Sequence, residues 1–256
     1  MNSIYPVLSG ALAQEKRLEL ITNNLANVST GGFKKDVAVF EGLTPLLTNA
    51  AGTAIQPLSH LLGADATFGL LKQVSTDYSA GPIQVTDEPL DIAIQGEGFF
   101  AVQSPEGVRY TRNGHFTLDA NGQLVTTAGL PVLGSGGPIT LPPGIVSINS
   151  NGNISVRGVE AGATVTEVDV LALYTVSNPK QLRKVGGSLF EVVSGTAVPS
   201  TEGRVRQGAL EGSNVNPVEE MVAMIEVMRL YEAAQKAMQT ADDIAGKAAN
   251  EIGRLG

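Results

Sequence analysis

The chain is 256 residues long, with 43% apolar and 16% charged residues, a formal net charge of −8 and no cysteine. That is apolar material for one large domain or two small ones, and the acidity argues against nucleic acid or an anionic membrane as main partner. Disulfides, thiolate chemistry and Cys-type metal sites are excluded, two histidines (His60 and His115) rule out a multi-His metal site within one chain, and no apolar run is long enough for membrane insertion.

Residues 3–28 read as an amphipathic helix. Ile4, Leu8, Ala11, Leu12, Leu18, Ile21, Leu25 and Val28 fall on one side, with Gln14, Glu15, Lys16 and Arg17 between them. The start shows no basic region followed by an apolar core, so no cleavable signal peptide is expected. Residues 42–71 are apolar and broken by Gly and Pro, with Leu46, Leu47, Leu58, Leu61, Leu62 and Phe68 prominent. Two readings stand side by side: an irregular wall of the core, or a segment buried only against another subunit.

From Gly81 to about Val198 the pattern is β. Leu90, Ile92 and Ile94 alternate with Asp91, Ala93 and Gln95 as a half-buried strand. Asn113-Gly114, Asn121-Gly122 and Asn151-Gly152 are hairpin signals, and no long helical period interrupts the block. An all-β module with mainly antiparallel neighbours follows.

The last segment opens with a helix start. Asn216 is the cap, Pro217 sits where a missing N–H costs nothing, and Glu219 and Glu220 put negative charge at the positive end of the macrodipole. From Pro217 to Ile252 a helix would run roughly 54 Å at about 1.5 Å per residue. Val218, Met221, Val222, Ile225, Met228, Tyr231 and Met238 recur at helical spacing, while Glu232/Lys236 and Asp243/Lys247 pair on the outer face. Such a helix needs a partner helix, in this chain or in a neighbour.

Chemistry has few candidates. Gly96-Glu97-Gly98 and Gly134-Ser135-Gly136-Gly137 fit no nucleotide loop and read as turn glycines. Asp87, Glu88, Asp91 and Glu97 could form a glycosidase carboxylate pair, but Asp91 lies on the polar phase of its strand and solvated charges are the plainer reading. His115 has no nucleophile at motif spacing, and Tyr110 and Arg112 read as cross-strand packing rather than a glycan contact. No catalytic residue, cofactor or metal ligand is assigned.

Four motifs carry a resemblance. Asn23-Asn24-Leu25-Ala26-Asn27-Val28-Ser29-Thr30-Gly31-Gly32-Phe33-Lys34 and Ser213-Asn214-Val215-Asn216-Pro217-Val218-Glu219-Glu220-Met221 resemble the N- and C-terminal signatures of bacterial flagellar rod and hook proteins. Residues 89–100, from Pro89-Leu90-Asp91 to Gly98-Phe99-Phe100, and Tyr110-Thr111-Arg112-Asn113-Gly114 resemble their β domain. The resemblance implies an α+β structural subunit, most like a proximal-rod protein, with a distal-rod subunit as the alternative within the family and a secreted glycan-binding module or hydrolase outside it. It implies terminal helices (residues 1–35 and 213–256) forming a coiled-coil-like layer, an apolar connecting segment over 36–80, and a central β domain over 81–212. Implied partners are copies of itself, other axial proteins and the type III export apparatus, with no nucleic acid, membrane insertion or small-molecule substrate. The implied location is the periplasmic rod of the basal body. Leu8, Leu18, Ile21, Val218, Met221, Val222, Ile225, Met228 and Tyr231 would form the helix seam. Asn23, Asn24, Leu25, Ala26, Asn27, Ser29, Thr30, Gly31, Gly32 and Phe33 would form the assembly motif, with Asn24 and Asn27 ending the helix and Gly31-Gly32 reversing the chain.

Overall fold

The computed structural model describes residues 4–43, 46–48, 54–57, 68–160, 164–176, 178–200 and 202–254. The chain divides into two compact units: Met1–Ala26, Asp36–Thr76 and Asn216–Gly256 form the first, and Asn27–Lys35 with Asp77–Val215 form the second.

In the first unit, helix α1 (Ile4–Ala26) packs along helix α2 (Pro217–Arg254). The Asn216 side-chain oxygen accepts a hydrogen bond from Val218 N at 3.1 Å, so the expected cap forms. At 38 residues α2 is about 57 Å long. Ala11, Ala13 and Ile21 are buried on α1, and Val227 on α2. Leu12, expected on the buried side, is exposed, because its neighbours Ala11 and Ala13 face inward instead. Alanines at a helix contact let two backbones approach closely.

The described parts of residues 36–76 are paired strands. Asp36–Leu43 pairs antiparallel with Phe68–Thr76, from Asp36 opposite Thr76 to Leu43 opposite Phe68, with a register shift between Val39 and Phe40. Leu46–Thr48 pairs likewise with Ala54–Pro57. Leu58, His60, Leu61 and Leu62 lie outside the described residues.

The second unit is antiparallel in every pairing described. Its largest sheet runs in the order Leu182–Gly186, Leu189–Val192, Gly107–Thr111, Phe99–Ser104, Leu173–Thr175, Val198–Pro199, with Val132–Leu133 also on Phe99–Ser104. A second sheet orders Ile145–Ile148, Asn153–Arg157 and Val165–Val170. Ile92–Gln95 pairs with Arg204–Gln207, and Ile83–Val85 with Ala209–Glu211. Phe100, Leu124, Ile154 and Leu171 are fully or nearly fully buried in the main core, while Phe99, Phe190, Leu182 and Val176 make a smaller one.

Two of the Asn-Gly signals are hairpins built alike. Asp119 and Asn149 each accept hydrogen bonds from the backbone two and four residues on, at 2.8–3.0 Å. Gly122 and Gly152 follow with φ of 78° and 87°, and their carbonyls accept from Leu141 N and Leu171 N at 2.8 Å. These hydrogen bonds, led by the one from Gln123 N, hold the Asp119 carboxyl below its usual range.

Asn113-Gly114 is not a hairpin. Gly114 instead lies against a neighbouring strand, its carbonyl accepting from Ile92 N at 3.0 Å. The strand expected to be half-buried is covered from Asp91 to Ile94, with Gln95 exposed. Ile92, Ala93 and Ile94 are all buried, since the intervening residue is alanine and both faces are packed. Asp91, expected in solvent, is 3% exposed, with Oδ1 2.6 Å from His115 Nδ1.

A side chain at Gly114 has no room, because a Cβ would stand 1.7 Å from the Ile92 carbonyl oxygen, whereas at Gly10 it would meet nothing within 4 Å. Thermal unfolding followed by circular dichroism should show Gly114→Ala destabilised by about 1–3 kcal/mol or more, as overpacked cores are. Gly10→Ala, in helix α1, should be neutral or slightly stabilising.

Candidate functional site: a buried charge cluster in the second unit

The second unit takes in the chain just after α1 and just before α2. Gly32 N donates to Glu211 O at 2.8 Å, and Asn214 N to Phe33 O at 3.3 Å. The close approach requires glycine at position 32. Its φ is +65°, and a Cβ there would lie 2.4 Å from the backbone of Arg112 and Asn113. The expected chain reversal at Gly31-Gly32 is therefore also a packing contact.

Beside it lies a buried set of charges. Lys34 Nζ is 2.5 Å from Glu211 Oε1, with side-chain exposures of 0% and 1%. Arg112 Nη1 is 3.1 Å from Glu211 Oε2. Gly81 N also donates to the carboxylate, at 3.0 Å. Lys34 Nζ donates further to Ser79 O at 2.7 Å, and Arg112 Nη2 to Gly96 O at 2.7 Å. The Arg112 guanidinium stands over the Phe99 ring at 5.3 Å. Burial pushes both Lys34 and Arg112 below their ordinary ranges, and Glu211 pulls each partly back. Arg112, read from sequence as cross-strand packing, is the meeting point of three segments. Neither Lys34 nor Glu211 was singled out, although a lysine directly after Gly-Gly-Phe was a visible signal.

One asparagine in each unit bonds main-chain groups of a returning segment. Asn214 Oδ1 accepts from Lys35 N at 2.7 Å, and its Nδ2 donates to Asp77 O at 2.9 Å. In the first unit, buried Asn24 accepts from Asp36 N and donates to Asp36 O, both at 2.9 Å, and reaches Glu220 Oε2 at 3.5 Å. Asn24 was expected to end α1 through side-chain-to-backbone bonds. Its bonds run to the backbone of Asp36, because its position two residues before the helix end faces the returning chain. In the second unit, Asp77 lies beside Asn214, whose Nδ2 donates to its carbonyl. Burial raises its pKa, but hydrogen bonds from Ser79 and the charge of Lys35 outweigh that and hold it low.

The expected assembly motif is split between the units. Asn23, Leu25 and Ala26 finish α1 with Asn24. Asn27, Ser29, Thr30, Gly31, Gly32 and Phe33 belong to the second unit, where Thr30 Oγ1 donates to Asn27 Oδ1 at 3.1 Å. Of the seam residues, Ile21 is buried, Leu18 and Tyr231 are half-buried, and the Leu8 side chain lies outside the described residues. Val218, Met221, Val222, Ile225 and Met228 are 43–62% exposed, while Val227, which the seam omitted, is fully buried. Pro217 opens α2, and Glu219 stands exposed in its first turn. Among the described residues no cluster of three or more His, Asp or Glu could hold a metal ion.

These features define a structural subunit in which the segments following α1 and preceding α2 are brought together within a β unit. Comparison with known proteins agrees in every part of the chain. Residues 4–34 match the model for flagella basal body rod protein, 93–156 the flagellar hook protein FlgE/F/G D1 domain, and 206–251 the flagellar basal body rod FlgEFG protein C-terminal. The chain is 35% identical to a flagellar basal-body rod protein FlgG of Borreliella burgdorferi over 98% of both chains. It is 37% identical to FlgG of Buchnera aphidicola subsp. Schizaphis graminum, over 96% of this chain and 97% of the relative. It is 33% identical to flagellar basal-body rod protein FlgF of Caulobacter vibrioides over 99% of both. The chain belongs to the flagellar basal-body rod protein family and is a structural subunit of the rod.

Replacing Glu211 by Gln should cost about 3–5 kcal/mol, because two buried cations lose their counter-charge; chemical denaturation measures it. Lys34 supplies a pH test. Between its lowered pKa and the ordinary lysine range the unfolded chain holds a proton that the folded chain releases, so stability rises with pH there and falls as pH drops through the window. Lys34→Met should flatten that slope relative to the unsubstituted chain.

Proposed function

We propose that this rod subunit polymerises with copies of itself and with other axial proteins through an apolar seam on α2, the terminal helices forming a coiled-coil-like inner layer. One observation carries the reading. Helix α2 has two apolar faces: Val227 is buried at 0% exposure, and the other face, Val218, Met221, Val222, Ile225 and Met228, remains open. A helix with a second apolar face is one prepared for a further neighbour, and methionines adapt to neighbours that are not identical. The rod family membership supports passage through the type III export apparatus and residence in the periplasmic part of the basal body. An absence of cysteine fits a chain exported unfolded, since no disulfide has to be broken.

The seam residues divide by role. Ile21, Leu18 and Tyr231 belong to the contact of α1 with α2 or its margin, and Val218, Met221, Val222, Ile225 and Met228 to the contact with the next copy. Asn23 to Phe33 hold the end of α1 and the chain reversal in place for that contact. Ile225→Asp or Met228→Asp should stop formation of sedimentable polymer and abolish motility, while β-sheet melting stays unchanged. A motile strain carrying either substitution would sink the seam assignment.

A further inference from the structure

The second unit carries an apolar hollow with an anion at its rim and an exposed apolar patch, the knob, with a cation in it, and we propose that the knob of one copy seats on the hollow of the next. This contact rests on the polymer reading above and adds a second interface to the helical seam.

The hollow has a volume of about 210 Å³. Small-molecule sites usually run to about 300–1,000 Å³, so this one suits a side chain better than a cofactor. Phe99, Leu182, Val176 and Tyr78 form its apolar walls. Glu97 is exposed at its rim, and its carboxylate takes no hydrogen bond among the described residues. Arg112 also lines it, and its Nε is buried without a hydrogen-bond partner among them. Two properties are thus open to a partner: an apolar wall and an anion at the rim.

The knob has the complement of each. Ile145 pairs with Arg157 and Arg157 with Val165, so the three stand in one row on one face of the three-stranded sheet. Ile145 is 55% and Val165 62% exposed, and Val159, in the turn beyond Arg157, is 82% exposed. These apolar side chains fit the walls. Arg157 is exposed and makes no ion pair among the described residues, so it can meet Glu97. Repulsion between Arg157 and Arg112 is limited because Arg112 is already paired with Glu211 at 3.1 Å. An acidic partner would meet Glu97 unfavourably. Because knob and hollow are different surfaces, their contact is head-to-tail, the kind that propagates into a ring or a helical filament.

The natural chain has no cysteine, so one engineered pair reports one contact. Two separately tagged full-length chains, one with Val159→Cys and one with Pro179→Cys at the hollow's edge, are mixed, assembled and mildly oxidised. The expected result is a mixed disulfide in the sedimented polymer and none when every copy carries Val159→Cys alone. Arg157→Glu and Glu97→Arg should each raise the concentration needed for assembly several-fold, and the two together should restore it. Sedimented polymer without the mixed disulfide, or with as much disulfide between Val159→Cys copies, overturns the contact and leaves the polymer reading standing. Failure of the unsubstituted chain to polymerise at all removes both.

Discussion

Glu211 is the residue on which the second unit closes. Its carboxylate takes Lys34 from the segment after α1, Arg112 from the middle of the chain, and Gly81 from the start of the β unit. Its backbone carbonyl takes Gly32. Contacts so far apart in sequence carry a large loop-closure cost before any is repaid, so they form together or not at all. A buried ion set of this kind adds little net stability over apolar packing, since the desolvation of each charge must be offset. What it does add is discrimination: any register that leaves Lys34 or Arg112 without Glu211 buries an unpaired charge. The cluster therefore specifies one pairing of the segments that carry Lys34, Gly81, Arg112 and Glu211.

Asparagine does the same for uncharged backbone. Asn24 and Asn214 each use both polar atoms of one amide on main-chain groups of a returning segment. A side-chain amide carries a donor and an acceptor in the spacing of a peptide group, so one residue can stand in for a strand. Both lie within a few residues of the points at which the chain passes from one unit to the other. Gly32 completes the device by removing the only atom that would keep Arg112 and Asn113 away.

The helices were legible because a 3.6-residue period sustained over so many positions is the mark of an amphipathic helix, and the cap at Asn216 marked the start of α2 to the residue. Two hairpins were legible for a similarly local reason: Asn-Gly preceded by a side chain able to bond forward, Asp119 or Asn149. Asn113-Gly114 lacked nothing in composition, yet its glycine answers to the Ile92 strand, which is distant in sequence. The same limit hid the charge cluster. Asp91 and Arg112 carry ordinary surface chemistry, and their burial depends on His115 and Glu211 arriving from elsewhere. Local pattern identifies elements; long-range pairing decides which charges are inside. Val227 shows the limit within one helix, since nothing in the spacing of α2 told which of two apolar faces meets α1.

That ambiguity has a physical consequence for a polymerising subunit. If apolar burial alone fixed how the ends of the chain pair, either apolar face of α2 could satisfy α1, and the face proposed for a neighbour could be consumed internally. Glu220 narrows the choice. It lies on the same side of α2 as Val227, two turns earlier, and reaches Asn24 of α1, which is itself tied to Asp36. A polar contact is intolerant of rotation in a way that an apolar stripe is not, because turning α2 to present Ile225 inward would carry Glu220 away from Asn24. Polar residues at the base of the helices thus select the internal face, and the apolar face with no such anchor is the one proposed to meet another chain.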